Sequence, residues 1–167
     1  METIKAFQTG IVGVIGFAGV IITLVVNAWL TRSERRAVVE DRLRALKLAL
    51  TEELKVIKTA YVAGATQLRS VPANKFCAIP TARLNGLFDS HQRELGLLPP
   101  KALEKVLGAY LSHDQVATNL LILATPDSQV RNGKLLTIPA EHCDIAAKIY
   151  EGMVAPIDEA IRELETV

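Results

Sequence analysis

The residues with most chemical potential in this chain are a thiol beside an imidazole, in Glu141-His142-Cys143-Asp144, and an imidazole beside a carboxylate, in His113-Asp114. An imidazole that activates a thiol makes a nucleophile, and one oriented by a carboxylate makes a general base. The spacing favours neither. Successive residues on a helix project about 100° apart, so His142 and Cys143 do not meet as a dyad. Glu141 and Asp144 read instead as first-turn acids that favour the helix dipole, with Cys143 half buried. His113-Asp114, within AYLSHDQVATN, reads as a surface pair on a helix, and His91 as a core or boundary histidine on an apolar face.

Other chemistries leave no signature either. The two cysteines, Cys77 and Cys143, stand 66 positions apart without a CxxC or Cys/His zinc spacing, so neither a disulfide framework nor a metal site is legible. The glycines near the N-terminus lack the strand-to-helix setting of a nucleotide fingerprint, and Asn132-Gly133-Lys134 reads as a turn. The basic run RSERRAVVEDRLRALK has no interleaved aromatics to stack on bases. The expectation is a non-enzymatic protein with no catalytic, cofactor-binding or metal residue and no nucleic-acid ligand.

From Ile11 to Leu30 there are twenty residues without a charge, twelve of them Ile, Val, Leu or Phe. A helix of that length rises about 30 Å, the hydrocarbon thickness of a bilayer. Those twelve residues contribute roughly −4 to −7 kcal/mol on an insertion scale, which the glycines and Asn27 reduce without reversing. Trp29 falls where an interfacial aromatic belongs, and Arg32, Arg35 and Arg36 follow it. Only Lys5 precedes the segment. The positive-inside rule therefore places the following domain in the bacterial cytoplasm and the N-terminus outside the inner membrane. The rival is a cleaved signal peptide at Val26-Asn27-Ala28, against which stand a weakly basic leader, a long apolar run and the arginines after the cut.

Charge is distributed to match. Residues 1–75 carry eleven Lys/Arg against six Asp/Glu, whereas residues 76–167 carry eight against twelve, so the basic part adjoins the oily segment. Within that segment Thr9, Gly13, Gly16, Val20, Thr23 and Asn27 recur at spacings of three and four, a stripe of small or weakly polar residues on which another membrane helix can pack.

The remainder is expected to be helical. Val39, Leu43, Leu46, Leu50, Leu54, Ile57 and Tyr61 form an apolar stripe, predicting a helix over 34–70. Thr31-Arg32-Ser33-Glu34 fits a capping box that would start it, and continuity with the oily segment is equally consistent. VPANKFCAIP, residues 71–80, reads as a connector. A short helix over 81–95 buries Leu84, Leu87, Phe88, His91 and Leu95, and Pro100 opens a helix that runs to about Ala124. Residues 126–139 read as a long connector with Leu135, Leu136 and Ile138 tucked back. A last helix over 140–165 turns Ile145, Ile149, Met153, Ile157, Ile161 and Leu164 inward, kinked or split at Pro156. The fold class expected is all-α: an N-terminal transmembrane helix (residues 1–31 with its tail), then an antiparallel bundle of about four helices (32–167).

The segment NAWLTRSERR, the helix LRALKLALTEEL and the stretch IPTARLNGLFDSHQRELGLLPPKALEKVLGAYL resemble a loose set of small, uncharacterised bacterial single-pass membrane proteins. That resemblance implies a cytoplasmic helical domain and no particular activity. The plan is also similar to the b subunit of the rotary ATP synthase, except that Pro72, Pro80, Pro99 and Pro126 fold this chain back. The functional expectation is a docking, scaffold or regulatory module, partnered by the bilayer and by a second copy or another membrane or cytosolic protein. The alternatives are an exported envelope or phage-type lysis accessory, and a membrane-tethered ligand sensor or enzyme using the space near His113 or Cys143.

Overall fold

A computed structural model describes residues 2–72, 75–80, 84–124 and 135–166, with side chains described from residue 22 onward. The chain is predominantly helical, with helices α1 (Glu2–Arg69), α2 (Gly86–Ser90), α3 (Pro100–Leu123), α4 (Ala140–Gly152) and α5 (Val154–Thr166). Two short strands, β1 (Phe76–Pro80) and β2 (Leu135–Pro139), complete it. Two compact units divide at Arg42 and Leu43.

In the first unit, Thr31 does not cap a new helix. It lies within α1, and its hydroxyl donates to the carbonyl of Asn27 at 2.9 Å, the back-bond that a mid-helix threonine makes. Among the described residues no helix is long and apolar enough to cross a membrane; the first half of the segment 11–30 lies outside the residues whose side chains are described.

The second unit is built on the stripe Leu46, Leu50, Leu54, Ile57, Tyr61, all buried, whereas Val39 is exposed. Ion pairs Lys58–Asp158 and Arg69–Glu151 set the later part of α1 antiparallel to α4 and α5, and Lys101–Glu163 and Lys105–Glu159 do the same for α3 against α5. The contacts of α1 with α3 run in the same order along both helices, Glu53 to Tyr110 and Tyr61 to His113, so these two lie parallel. The expectation of a purely antiparallel bundle is corrected accordingly. The chain between them has to return to the starting end, and β1, α2 and a 3-10 turn over Gln92–Leu97 provide that return.

Both expected connectors contain a strand. β1 and β2 pair antiparallel, with Cys77 opposite Ile138 and Ile79 opposite Leu136. These four alternate residues are buried, and Phe76 and Leu135 are exposed, which is the period-two pattern of a ribbon with one covered face. Pro80 and Pro139 sit at the strand ends, where a missing N–H costs no ladder bond.

The helix expected over 81–95 is shorter, α2 followed by the 3-10 turn, and Leu84 and Leu87 are exposed. The last helix splits as Pro156 requires: its ring would clash with the carbonyl of Gly152, where α4 ends. The buried stripe nevertheless keeps one register across the break, with Cys143, Tyr150, Ile157 and Leu164 seven residues apart. Met153, Ile157, Ile161 and Leu164 are buried as expected, but α4 buries Cys143, Ala146, Ala147 and Tyr150, leaving Ile145 exposed.

Candidate functional site

The helical unit encloses a cavity of 260 Å³ bounded by α1, β1 and α3, with Leu136 of β2 and Tyr150 of α4. Periodicity brings its walls together. Ile57, Tyr61, Gly64 and Leu68 share one face of α1; His113, Val116, Ala117 and Leu120 share one face of α3; Cys77 and Ile79 are the inward residues of β1. Ala60, Ala63 and Ala117 present short side chains to this space. Ile57, Leu68, Leu120 and Leu136 are buried, whereas Ala63, Gln67, Ala78, Pro80 and Leu84 are exposed, so the cavity has a rigid floor and opens at the surface.

Three rings form its polar corner. The Tyr61 hydroxyl lies 2.6 Å from Nδ1 of His113, and the two rings meet edge-on at 5.7 Å. Tyr150 meets Tyr61 edge-on at 5.0 Å. Gly64 makes this possible. A Cβ there would stand 2.5 Å from Cε2 of Tyr150, closer than any packed carbon tolerates, so the Tyr150 ring rests against the bare backbone of α1.

The electrostatics keep the two hydroxyls of this corner protonated. Burial pushes the Tyr61 hydroxyl well above the ordinary tyrosine value, and the charges of Tyr150 and Asp114 act in the same direction. Burial likewise pushes Tyr150 up to about 12. The Cys77 thiol in the wall is raised by burial too, which disfavours its nucleophilic thiolate. Chemically the corner is a phenol–imidazole pair whose hydrogen bond runs in either direction, depending on which ring nitrogen of His113 carries its proton. With His113 protonated on Nε2 the phenol donates to Nδ1 and its oxygen accepts from elsewhere; with Nδ1 protonated the phenol oxygen accepts from it and the hydroxyl donates elsewhere.

His113 and Asp114, expected as a surface pair, are half-buried in this wall, which also holds the buried Cys77. His142 and Cys143 diverge: Nε2 of His142 lies 3.7 Å from Glu141, whereas the buried Cys143 thiol points at the carbonyl of Pro139, 3.4 Å away. The Cys143 thiol is raised by burial and by the charge of Cys77. His91 is half-buried and its Nδ1 lies 2.8 Å from the Leu87 carbonyl. In the first unit Thr23, Asn27, Trp29, Arg32, Arg35 and Arg36 are exposed along α1; Thr9, Gly13, Gly16 and Val20 lie outside the residues whose side chains are described. Among the described residues no cluster of three or more His, Cys, Asp or Glu is placed to hold a metal ion.

Two residues that organise the site were not expected. Gly64 carried a signal, since an isolated glycine in a helical pattern usually has a packing reason. Glu53 carried another, because it falls between Leu50 and Ile57 on the apolar face of α1, where a carboxylate needs partners. It finds them: the amides of Leu87 and Phe88 donate to it at 2.7 and 2.9 Å, and the Tyr110 hydroxyl donates at 2.5 Å. Glu53 thereby caps α2 from another helix and fixes the chain that leads from the β1 wall of the cavity back to the start of α3.

No protein-family model, curated protein or solved structure matches the chain.

Proposed function

We propose that this chain is a non-enzymatic, single-pass protein of a bacterial inner membrane whose helical domain docks or regulates a partner in the cytoplasm. One observation carries the reading. Ile22, Leu24, Val25, Val26, Trp29 and Leu30 all lie between 45% and 68% exposed. Ile22, Val25, Val26, Trp29 and Leu30 recur at i, i+3, i+4, i+7 and i+8 and line one broad face of α1, with Leu24 roughly opposite and no charged residue among them; the core that begins at Leu46 does not cover them. An apolar solvent that surrounds the helix can, and with the uncharged residues from Ile11 onward the stretch has the length a bilayer requires.

Trp29 then sits at the interface and Arg32, Arg35 and Arg36 among the headgroups, with the helical domain on the arginine side and residues 1–10 on the other. The Thr9, Gly13, Gly16, Val20, Thr23 and Asn27 face is the helix–helix contact in this reading, joining a second copy or another membrane protein. Gly16→Leu should then weaken crosslinking between copies in membranes; unchanged crosslinking would remove the stripe from the proposal.

The orientation is tested by fusing the C-terminus to a reporter active only in the periplasm and to one fluorescent only in the cytoplasm. Cytoplasmic fluorescence from an uncleaved chain is expected. Periplasmic activity would overturn the assignment in favour of an exported accessory.

A further inference from the structure

We propose that the cavity beside Tyr61 is a binding site for a small, uncharged aromatic molecule bearing one hydroxyl or carbonyl group, of the size of a substituted phenol or an indole. This goes beyond the docking role and does not depend on it.

Size sets the first limit. An apolar cavity of about 150 Å³ holds benzene. At 260 Å³ this one accommodates one ring with a substituent, or two fused rings, and not a nucleotide or a long acyl chain. The floor sets the second. Ile57, Leu68, Val116 and Leu120 offer an apolar surface on which a ring is desolvated. Tyr61 and Tyr150 already stand edge-to-face, and a third ring extends that arrangement with the quadrupoles still complementary.

The polar corner sets the third. Because the direction of the Tyr61–His113 bond follows the imidazole tautomer while the phenol keeps its proton, Tyr61 can accept from a ligand hydroxyl when it donates to Nδ1, or donate to a ligand carbonyl when Nδ1–H donates to it. A hydrogen bond offered in both senses at the end of an apolar slot selects one polar atom on an otherwise oily molecule. Charge is selected against. The same desolvation that keeps both tyrosines protonated penalises an anion brought to this corner, and Asp114 in the wall repels one. Ala63, Ala78 and Pro80 form an exposed apolar rim to the cavity.

The test is fluorine NMR of 4-fluorophenol, fluorobenzene and 4-fluorobenzoate with the full chain in detergent. Site binding saturates and is displaceable, whereas micelle partitioning is neither. The 4-fluorophenol resonance should broaden saturably and be restored by excess indole, and 4-fluorobenzoate should neither broaden nor compete. Tyr61→Phe should weaken 4-fluorophenol about tenfold while leaving fluorobenzene within about twofold, as expected for loss of one hydrogen bond. Ala117→Phe, which fills the slot, should abolish both. Linear, non-displaceable broadening in the wild-type chain would overturn the proposal whether or not either variant folds. Equal weakening of both probes by Tyr61→Phe would overturn the hydrogen-bonding assignment.

Discussion

Glu53 shows what a single buried carboxylate does in this protein: it gathers two amides and a hydroxyl from elements that are 34 to 57 positions away in sequence. Glu53→Ala strands all three donors and should cost about 3 kcal/mol, with Glu53→Gln less damaging because an acceptor remains. Denaturant unfolding followed by circular dichroism would check this. The tyrosines give a second prediction. Burial comes first among the causes that raise Tyr61, Tyr110 and Tyr150, which are the three tyrosines of the chain. A hydroxyl raised in the folded state contributes stability that is complete below its ordinary value of 10 and is lost as pH climbs toward about 12, the Tyr150 value. Alkaline titration should therefore show no tyrosinate absorbance near pH 10, then a rise coincident with unfolding. Independent ionisation of a tyrosine near pH 10 in the folded chain would contradict the packing. At this scale the sequence disclosed residue types on faces, such as Glu53 among leucines and Gly64 within a helix. It could not disclose their partners, because Leu87, Tyr110 and Tyr150 arrive through tertiary contacts.

At the scale of elements, the long stripe on α1, the start of α3 at Pro100 and the break near Pro156 were legible, because each follows from local periodicity or from proline sterics. The β-ribbon was not. FCAIP and LLTIP are five residues each, too short for alternation to stand out, and their terminal prolines look like turn signals until pairing shows that they occupy strand ends. The phase of α4 was lost for a different reason: stepping back from Ile157 by four residues at a time drifts about 40° per step, which carried the expected stripe onto Ile145, whereas the true 3.6-residue register runs through Met153, Tyr150, Ala146 and Cys143. If the ribbon is part of the core, Ile138→Ala should cost about 2–4 kcal/mol, whereas Leu135→Ala on the exposed face should change stability by about 0.5 kcal/mol or less. Comparable small effects for both would mean that the ribbon does not seal the helices. The cavity belongs to this scale too, since β1 forms one of its walls and its lining was only partly foreshadowed by interest in His113.

For the whole molecule, composition and charge already separated an oily, arginine-flanked segment from a mixed-charge helical remainder. The structure adds that the described large apolar residues of that segment, from Ile22 to Leu30, are exposed along α1, while the later part of the chain buries a continuous core from Leu46 to Leu164. One part is made for burial in its own core, and the other presents its apolar side chains to the surroundings. The account therefore stands or falls on where residues 11–30 reside. Trp29 is the chain's single tryptophan and so reports on that segment without any label. The direct measurement is its fluorescence in vesicles of anionic lipid, quenched in turn by lipids brominated near the headgroup, by lipids brominated near the chain end, and by aqueous iodide. Strong quenching by bromines near the headgroup, with little from chain-end bromine or iodide, is the predicted result. Efficient iodide quenching with no effect of brominated lipid would place Trp29 in water and contradict the membrane anchor.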